Sequence, residues 1–364
     1  MFRRWFFELL ILTATVWLAA CVPVTSPSPV AATSDPVIAT DALGRTLHFD
    51  APPQRIVVAG KAGTLVADVL YTFPEAPRRI VGLVKQAQTP AIFDFYRLLD
   101  PQTDAKRVVG RAASAEQIAA LHPDVVVMKS FLAKKLGAQI ETVGIPVFYL
   151  EMETPEQYPE ELKQVGLLLG NPGRGQVLAA YYQAQMARAQ KLTAGLTAAQ
   201  RPRVLVVQHM AKGGATAWQI PPADWLQAAL VRLAGGRPLW VEQAPADHWQ
   251  TVTLEQIAAW QPDQIYIVDY FAEPARDVMA FKSDAAAATL TAVQKEAIYP
   301  FPKDYLSWDQ PDSRWPLGLL WLAKHIQPQR FADVNIRTEA AKFYSTVYGL
   351  KGDRLQQALG RLPH

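Results

Sequence analysis

The sequence predicts an α/β fold of two lobes, each built on a mainly parallel central sheet, with one long α-helix between them. Three observations lead there. Short runs rich in Val and Ile alternate with helix-period segments; the alternation is interrupted by two consecutive helices and then restarts; and one short segment recurs in both halves.

In the first half, residues 55–59, 80–83, 124–128 and 147–149 read as strands, each followed by a turn and a helix-period stretch. Near-continuous apolar runs of this kind suit strands covered on both faces, hence a parallel sheet. Residues 155–169 and Pro172–Thr193 read as successive helices, the second opening on a proline suited to a first turn. The glycine-rich stretch 170–175 follows a helix rather than a strand, so it is an interhelix turn and not a phosphate loop. Residues 204–208, Gln264–Val268 and 298–301 supply strands for a second lobe, with helices at 224–233, 253–260 and Trp315–Ile326. The expected organisation is a first lobe over 37–170, an interlobe helix over 171–195 and a second lobe over 196–364.

The repeated segment covers residues 114–124 and 253–263. Both copies contain Glu-Gln-Ile-Ala-Ala and end in Pro-Asp before entering a strand. Ser114 and Thr253 stand where an N-cap belongs, so each copy is a short capped helix stopped by proline and feeding a buried strand. A duplicated lobe accounts for the spacing.

The amino terminus carries Arg3 and Arg4 before an apolar stretch that ends Leu18-Ala19-Ala20-Cys21. This is the layout of an export signal, too short to span a bilayer. Leu-Ala-Ala-Cys resembles the bacterial lipobox, whose cysteine is acylated. Cys21 is the only cysteine in the chain, so no internal disulfide can form. Residues 1–21 are therefore expected to be a lipoprotein signal with Cys21 as the lipidation site. The Pro/Ser/Thr-rich residues 22–36 form a flexible tether. The chain is half apolar and 19% charged, and its net charge of +3 includes one net positive charge in the signal. That balance excludes a basic field for nucleic acid.

From the opening stretch 40–58 (Thr40-Asp41-Ala42-Leu43-Gly44-Arg45 through Gln54-Arg55-Ile56-Val57-Val58) and both Glu-Gln-Ile copies, the chain resembles the periplasmic binding proteins that serve ABC importers for ferric siderophores, haem, cobalamin and some oxyanions. The resemblance runs from Val37 to about Tyr348. It implies two lobes joined by one stiff helix, small closure motions and a ligand cleft between the lobes. It also implies one acidic residue per lobe for docking on arginines of the permease, mapping here to Glu116 and Glu255. The partners it implies are a permease dimer with its ATPase and a small anionic ligand. The binder would be a monomer, exported and lipid-anchored to the outer face of the cytoplasmic membrane.

Ligands of open α/β sheets lie beyond the carboxyl ends of the strands. The loops there offer Lys61 within 59–64, Lys129 with Ser130, the stretch 209–218 bounded by His209 and Trp218 and containing Lys212, Gly213 and Gly214, and Asp269 with Tyr270 and Phe271. The segment Asp304-Tyr305-Leu306-Ser307-Trp308-Asp309-Gln310-Pro311-Asp312-Ser313-Arg314 resembles a family branch that handles iron complexes and molybdate-like oxyanions. Ser313 is expected to cap the following helix. Trp308 offers an apolar plate, and Asp309 and Arg314 polar groups suited to a carboxylate or oxyanion. The alternative for this trio is packing, with Asp309 and Arg314 paired to each other.

These loops point to an anionic metal complex of the iron-siderophore type, with a molybdate or tungstate oxyanion, cobalamin or haem as alternatives. No resident cofactor is expected. Nor is a protein metal site, because the six histidines are scattered and only His209 falls at a strand end. An exported enzyme on the same fold is the rival from another class. Its signatures, a Gly-x-Ser-x-Gly turn, a His-Glu-x-x-His helix or a Walker sequence, are absent, so no catalytic residue is assigned.

Overall fold

The computed structural model of the protein describes residues 36–84, 90–212, 215–244 and 248–363. The signal segment, Cys21 and the tether up to residue 35 lie outside them, as do Gly213 and Gly214.

A hairpin of β1 (Val37–Thr40) and β2 (Thr46–Phe49) opens the first lobe. The Asp41 carboxylate closes its turn by accepting from the backbone N–H groups of Leu43 and Arg45. Strands β3 (Ile56–Val58), β4 (Ile80–Val84), β5 (Arg107–Val109), β6 (Val125–Lys129) and β7 (Val147–Leu150) then form an all-parallel sheet in the order β5-β4-β3-β6-β7. Each residue of β3, β6 and β7 is buried, as their unbroken apolar runs require. Edge strand β5 shows no such run because Arg107 and Val108 are exposed, and the sequence pattern does not reveal it.

The second lobe holds β8 (Arg203–Lys212), β9 (Ala215–Ile220), β10 (Arg237–Pro238), β11 (Gln250–Val252), β12 (Gln264–Val268) and β13 (Ile298–Pro300). Their order is β11-β9-β8-β12-β13, with β10 beside β8. The core β8-β12-β13 is parallel, whereas β9 and β11 run antiparallel. This sheet is therefore mixed. The described residues of the stretch 209–218, expected as an open loop, are instead paired antiparallel strands, in which β8 continues past the predicted end and His209 faces Trp218 in register.

Between the lobes runs the helix Pro172–Thr193, capped by Asn171, whose side-chain oxygen accepts from Arg174 N at 3.0 Å. Gly175 is there for proximity. A Cβ on it would lie 2.8 Å from the Leu162 carbonyl oxygen, so glycine lets this helix cross the preceding one, Gln157–Leu168, at backbone contact. Arg174 then donates to the carbonyls of Thr72, Thr346 and Val347, joining the first lobe to the carboxyl-terminal helix Ile336–Val347.

That helix and the next, Gly352–Leu359, return to the first lobe. Phe95, on the first-lobe helix Ala91–Leu99, packs against Tyr344 and Tyr348, and Arg361 pairs with Asp94 at 3.1 Å. The two lobes are joined by the long helix, as expected, and this packing adds a second, non-covalent tie. Apolar packing is continuous from Val66 and Phe95 through Leu178 and Tyr182 to Trp315.

Candidate functional site

Both sheets direct their carboxyl ends at one short segment, residues 309–311. From the first lobe, Lys129 at the end of β6 and Leu150 at the end of β7 line a narrow gap with Leu65, Val66, Val69 and Met152, and Pro311 forms the opposite wall. From the second lobe, Tyr270 just beyond β12 donates its hydroxyl to Asp309 Oδ2 at 2.7 Å. The strand ends thus meet at the lobe junction, where the topology of open α/β sheets places a ligand.

On the second lobe, His209 stands in β8, Asp269 follows β12, and Asp277 occupies the first turn of the helix Pro274–Ser283. His209 Nδ1 lies 2.8 Å from Asp277 Oδ1 and 3.9 Å from Asp269 Oδ2. Asp269 is oriented from behind, since its Oδ1 accepts from the backbone N–H groups of Phe271 at 2.7 Å and Ala272 at 2.9 Å. Burial, and then the neighbouring Asp269, push the Asp277 carboxyl up to about 7. Aromatic rings lie along the same strand ends. Trp218 lies 5.0 Å from the His209 ring, Trp249 lies 6.0 Å from Tyr270 and 6.3 Å from Trp225, and Phe271 is 59% exposed.

On the first lobe, Lys61 is exposed above the Phe131 ring at 5.9 Å, and Phe131 is itself 54% exposed. It follows β6 much as Phe271 follows β12, so the duplicated helix-strand units each end near a solvent-facing phenyl. Lys129 is not a free cation. Its ammonium is buried, pairs with Glu153 at 2.6 Å and donates to the Glu151 carbonyl. The helix Gly63–Leu70, which opens from the Lys61 loop, turns three of its early amide groups back on that loop: Gly63 N donates to Gly60 O, and Leu65 N and Val66 N to Ala62 O.

Trp308, Asp309 and Arg314 require correction, because all three are fully buried. Arg314 Nη1 donates to Asp68 Oδ1 at 2.8 Å and Nε to Asp304 Oδ1 at 2.9 Å, while Phe95 lies under the guanidinium at 4.6 Å. Asp309 instead accepts from Tyr270, Gln227 and Ser307, so it does not pair with Arg314 either. Trp308 is locked beneath the helix Trp315–Ile326, where a Cβ on Gly318 would fall 2.2 Å from the Trp308 carbonyl oxygen. Ser313 does not cap that helix. Its N–H and hydroxyl donate to Asp68 across the lobe junction. The segment binds lobe to lobe, a use its composition could not distinguish from a ligand fork.

Glu116 and Glu255 are exposed on matched helices, Ala115–Ala119 and Leu254–Trp260. Both helices carry complete capping boxes, Ser114 with Gln117 and Thr253 with Gln256. The cap side chains, and then each glutamate's own backbone N–H, hold the two carboxyls below their usual range. Neither glutamate enters an ion pair among the described residues. A separate surface cleft of about 420 Å³, lined by Arg201, Arg232, Arg237 and Glu242, opens near the amino end of β8, away from the strand ends.

Residues 87–305, more than half of the chain, match the family model described as "Periplasmic binding protein". The chain belongs to the periplasmic binding protein family. Members of this kind are exported solute-binding proteins of ABC transporters, and that function applies to the chain at family level. Among relatives, the molybdate-binding protein MolA of Haemophilus influenzae is 24% identical over 340 residues, spanning 85% of this chain and 90% of MolA. The crystal structure of MolA bound to molybdate superposes with a TM-score of 0.72 at 20% identity, over 87% of this chain and 99% of that one. Helicobacter pylori CeuE with Ni(II) bound gives a TM-score of 0.70 at 18% identity, over 88% and 98%. A periplasmic solute-binding protein of Veillonella parvula gives 0.70 at 20%, over 89% and 97%.

In this periplasmic binding protein, His209 stands beside Trp218, and Tyr270 directly follows Asp269, whose carboxylate lies 3.9 Å from His209. Asp277, Trp225, Trp249 and Phe131 were not anticipated. Asp277 is hidden in an amphipathic helix, and nothing in its spacing links it to His209. Phe131, by contrast, sits two residues beyond Lys129, inside the loop already marked for ligand. Among the described residues, no helix is long and apolar enough to cross a membrane.

Proposed function

We propose that this protein captures a metal complex held by an organic carrier, anionic at its periphery, and delivers it to an ABC importer. The observation that carries this reading is a pair of solvent-facing phenyls at the converging strand ends, Phe131 beside Lys61 on one lobe and Phe271 on the other, with half-buried Trp218 beside His209 and half-buried Trp249 beside Tyr270. Exposed aromatic faces suit an organic scaffold with apolar surface, whereas a bare oxyanion wants a small closed nest of amides. A molybdate or tungstate reading is favoured by one specific observation, the similarity to MolA.

The remaining parts of the reading follow from the sequence. Cys21 carries lipid, residues 22–36 hold the body near the outer face of the cytoplasmic membrane, and Glu116 and Glu255 meet arginines of the permease dimer, whose ATPase drives import. No catalytic role is assigned to any residue; the cargo leaves chemically unchanged.

Purification without refolding, with mass and metal analysis, tests this directly. Calorimetric titration with ferric chelates, haem, cobalamin, molybdate and tungstate follows. The expected result is one-to-one binding of a ferric chelate and recovery of the intact compound. Exclusive binding of molybdate or tungstate would move the cargo to the second reading, and chemical conversion of the compound would make the protein an enzyme.

A further inference from the structure

We infer that His209, Asp269 and Asp277 form a binding site for a divalent first-row transition cation on the second lobe, with coordination positions left open. The three ligand atoms, one imidazole nitrogen and two carboxylate oxygens, all lie within 4.8 Å of one another. A cation with ligands at about 2.0–2.2 Å spaces its donors roughly 3–3.5 Å apart, so the pairs at 2.8 Å and 3.9 Å need only small side-chain adjustments. One imidazole with two carboxylates is a donor set suited to manganese, iron, cobalt, nickel or zinc rather than to calcium or magnesium.

An independent observation points to a missing partner. Asp277 is 6% exposed, yet its Oδ2 is buried with no hydrogen-bond partner among the described residues. An unsatisfied buried carboxylate oxygen is costly, and a cation beside it would remove that cost. The ligands are also held from behind. His209 is fixed in a ten-residue strand opposite Trp218, Asp277 stands in a helix, and two backbone N–H groups bind the far oxygen of Asp269. Outer hydrogen bonds of this sort orient metal ligands.

The site also resolves a conflict of charge. Two carboxylates at the place where an anionic cargo docks would repel it, whereas a divalent cation between them makes the face neutral and offers vacant positions to an oxygen donor of the cargo. This last step rests on the proposed function, but the cation site itself does not.

The test therefore uses metal alone. Titration of the purified chain with Co(II), followed by visible absorption, is expected to show one tightly held equivalent with ligand-field bands. Asp277→Asn and His209→Gln should each weaken it at least tenfold, with metal-free melting curves matching the unsubstituted protein. Crystals soaked in Co(II) should show an anomalous peak between the three side chains, a readout that needs no variant. The site is overturned by the lack of a stoichiometric Co(II) equivalent, by unchanged affinity in both variants, or by a peak elsewhere only. Because no cargo is present, a chain that binds Co(II) but none of the proposed cargoes would refute the proposed cargo and leave the site standing.

Discussion

Asp68 of the first lobe and Arg314 of the second meet at 2.8 Å across the lobe junction, and neither side chain is exposed. Asp304 holds the guanidinium from the other side, and Ser313 and Tyr348 donate to the same Asp68 carboxylate. Charges buried this completely tie the lobes together only as a complete set, because a lone survivor has no water to turn to.

Asp68→Asn is therefore expected to destabilise the protein by about 3–5 kcal/mol, and Arg314→Ala by at least as much, since it leaves two buried carboxylates without their cation. Chemical denaturation with a probe in each lobe measures this. Unaltered midpoints in both variants would show that the junction does not depend on the pair. Because Arg314 is fully buried, its loss acts on the fold rather than on a ligand contact.

Glu161 supplies a pH dependence. Burial pushes its carboxyl up to about 7 from a usual value of 4.5, while the N–H groups of Met152 and Glu151 pull the other way. An acid raised in the folded state binds more protons there than in the unfolded chain, so stability falls as pH rises from about 4.5 to 7. The contribution is on the order of 3 kcal/mol. Glu161→Gln should flatten this part of the stability profile. It should also cost about 1 kcal/mol at the acid end, because glutamine can accept only one of the two backbone hydrogen bonds. Denaturant midpoints across that pH window check the slope, and an identical slope in the variant would contradict the assignment.

Much of the fold was legible because buried strands and capped helices announce themselves locally. The runs at β3, β6, β7 and β12, the capping residues Ser114 and Thr253, and Pro172 as a helix opener all reappear in the structure. The site was less legible. Arg314 and Asp68 are 246 residues apart, so nothing in either neighbourhood tells a ligand fork from an interlobe ion pair. His209 was visible as a strand end, but its partner Asp277 is brought to it by a helix packing over the sheet. Counting histidines alone therefore missed the cluster.

Glu116→Lys with Glu255→Lys tests the docking surface. Both side chains are exposed, so the substitutions should leave folding and cargo affinity unchanged. They should abolish stimulated ATP hydrolysis and uptake in vesicles containing the permease and its ATPase. Normal uptake by the double variant would rule the two glutamates out as contacts.

In the proposed function, cargo rests against the exposed phenyls where the two sheets converge. Phe131 and Phe271 are exposed enough to be removed without disturbing the core. Calorimetric titration of the mature protein with an anionic ferric chelate should show saturable one-to-one binding, and Phe131→Ala with Phe271→Ala should weaken it at least tenfold, about 1.4 kcal/mol, at an unchanged melting temperature. Equal affinity in the double variant, or no binding of the chelate by the unsubstituted protein, would contradict this placement of the cargo.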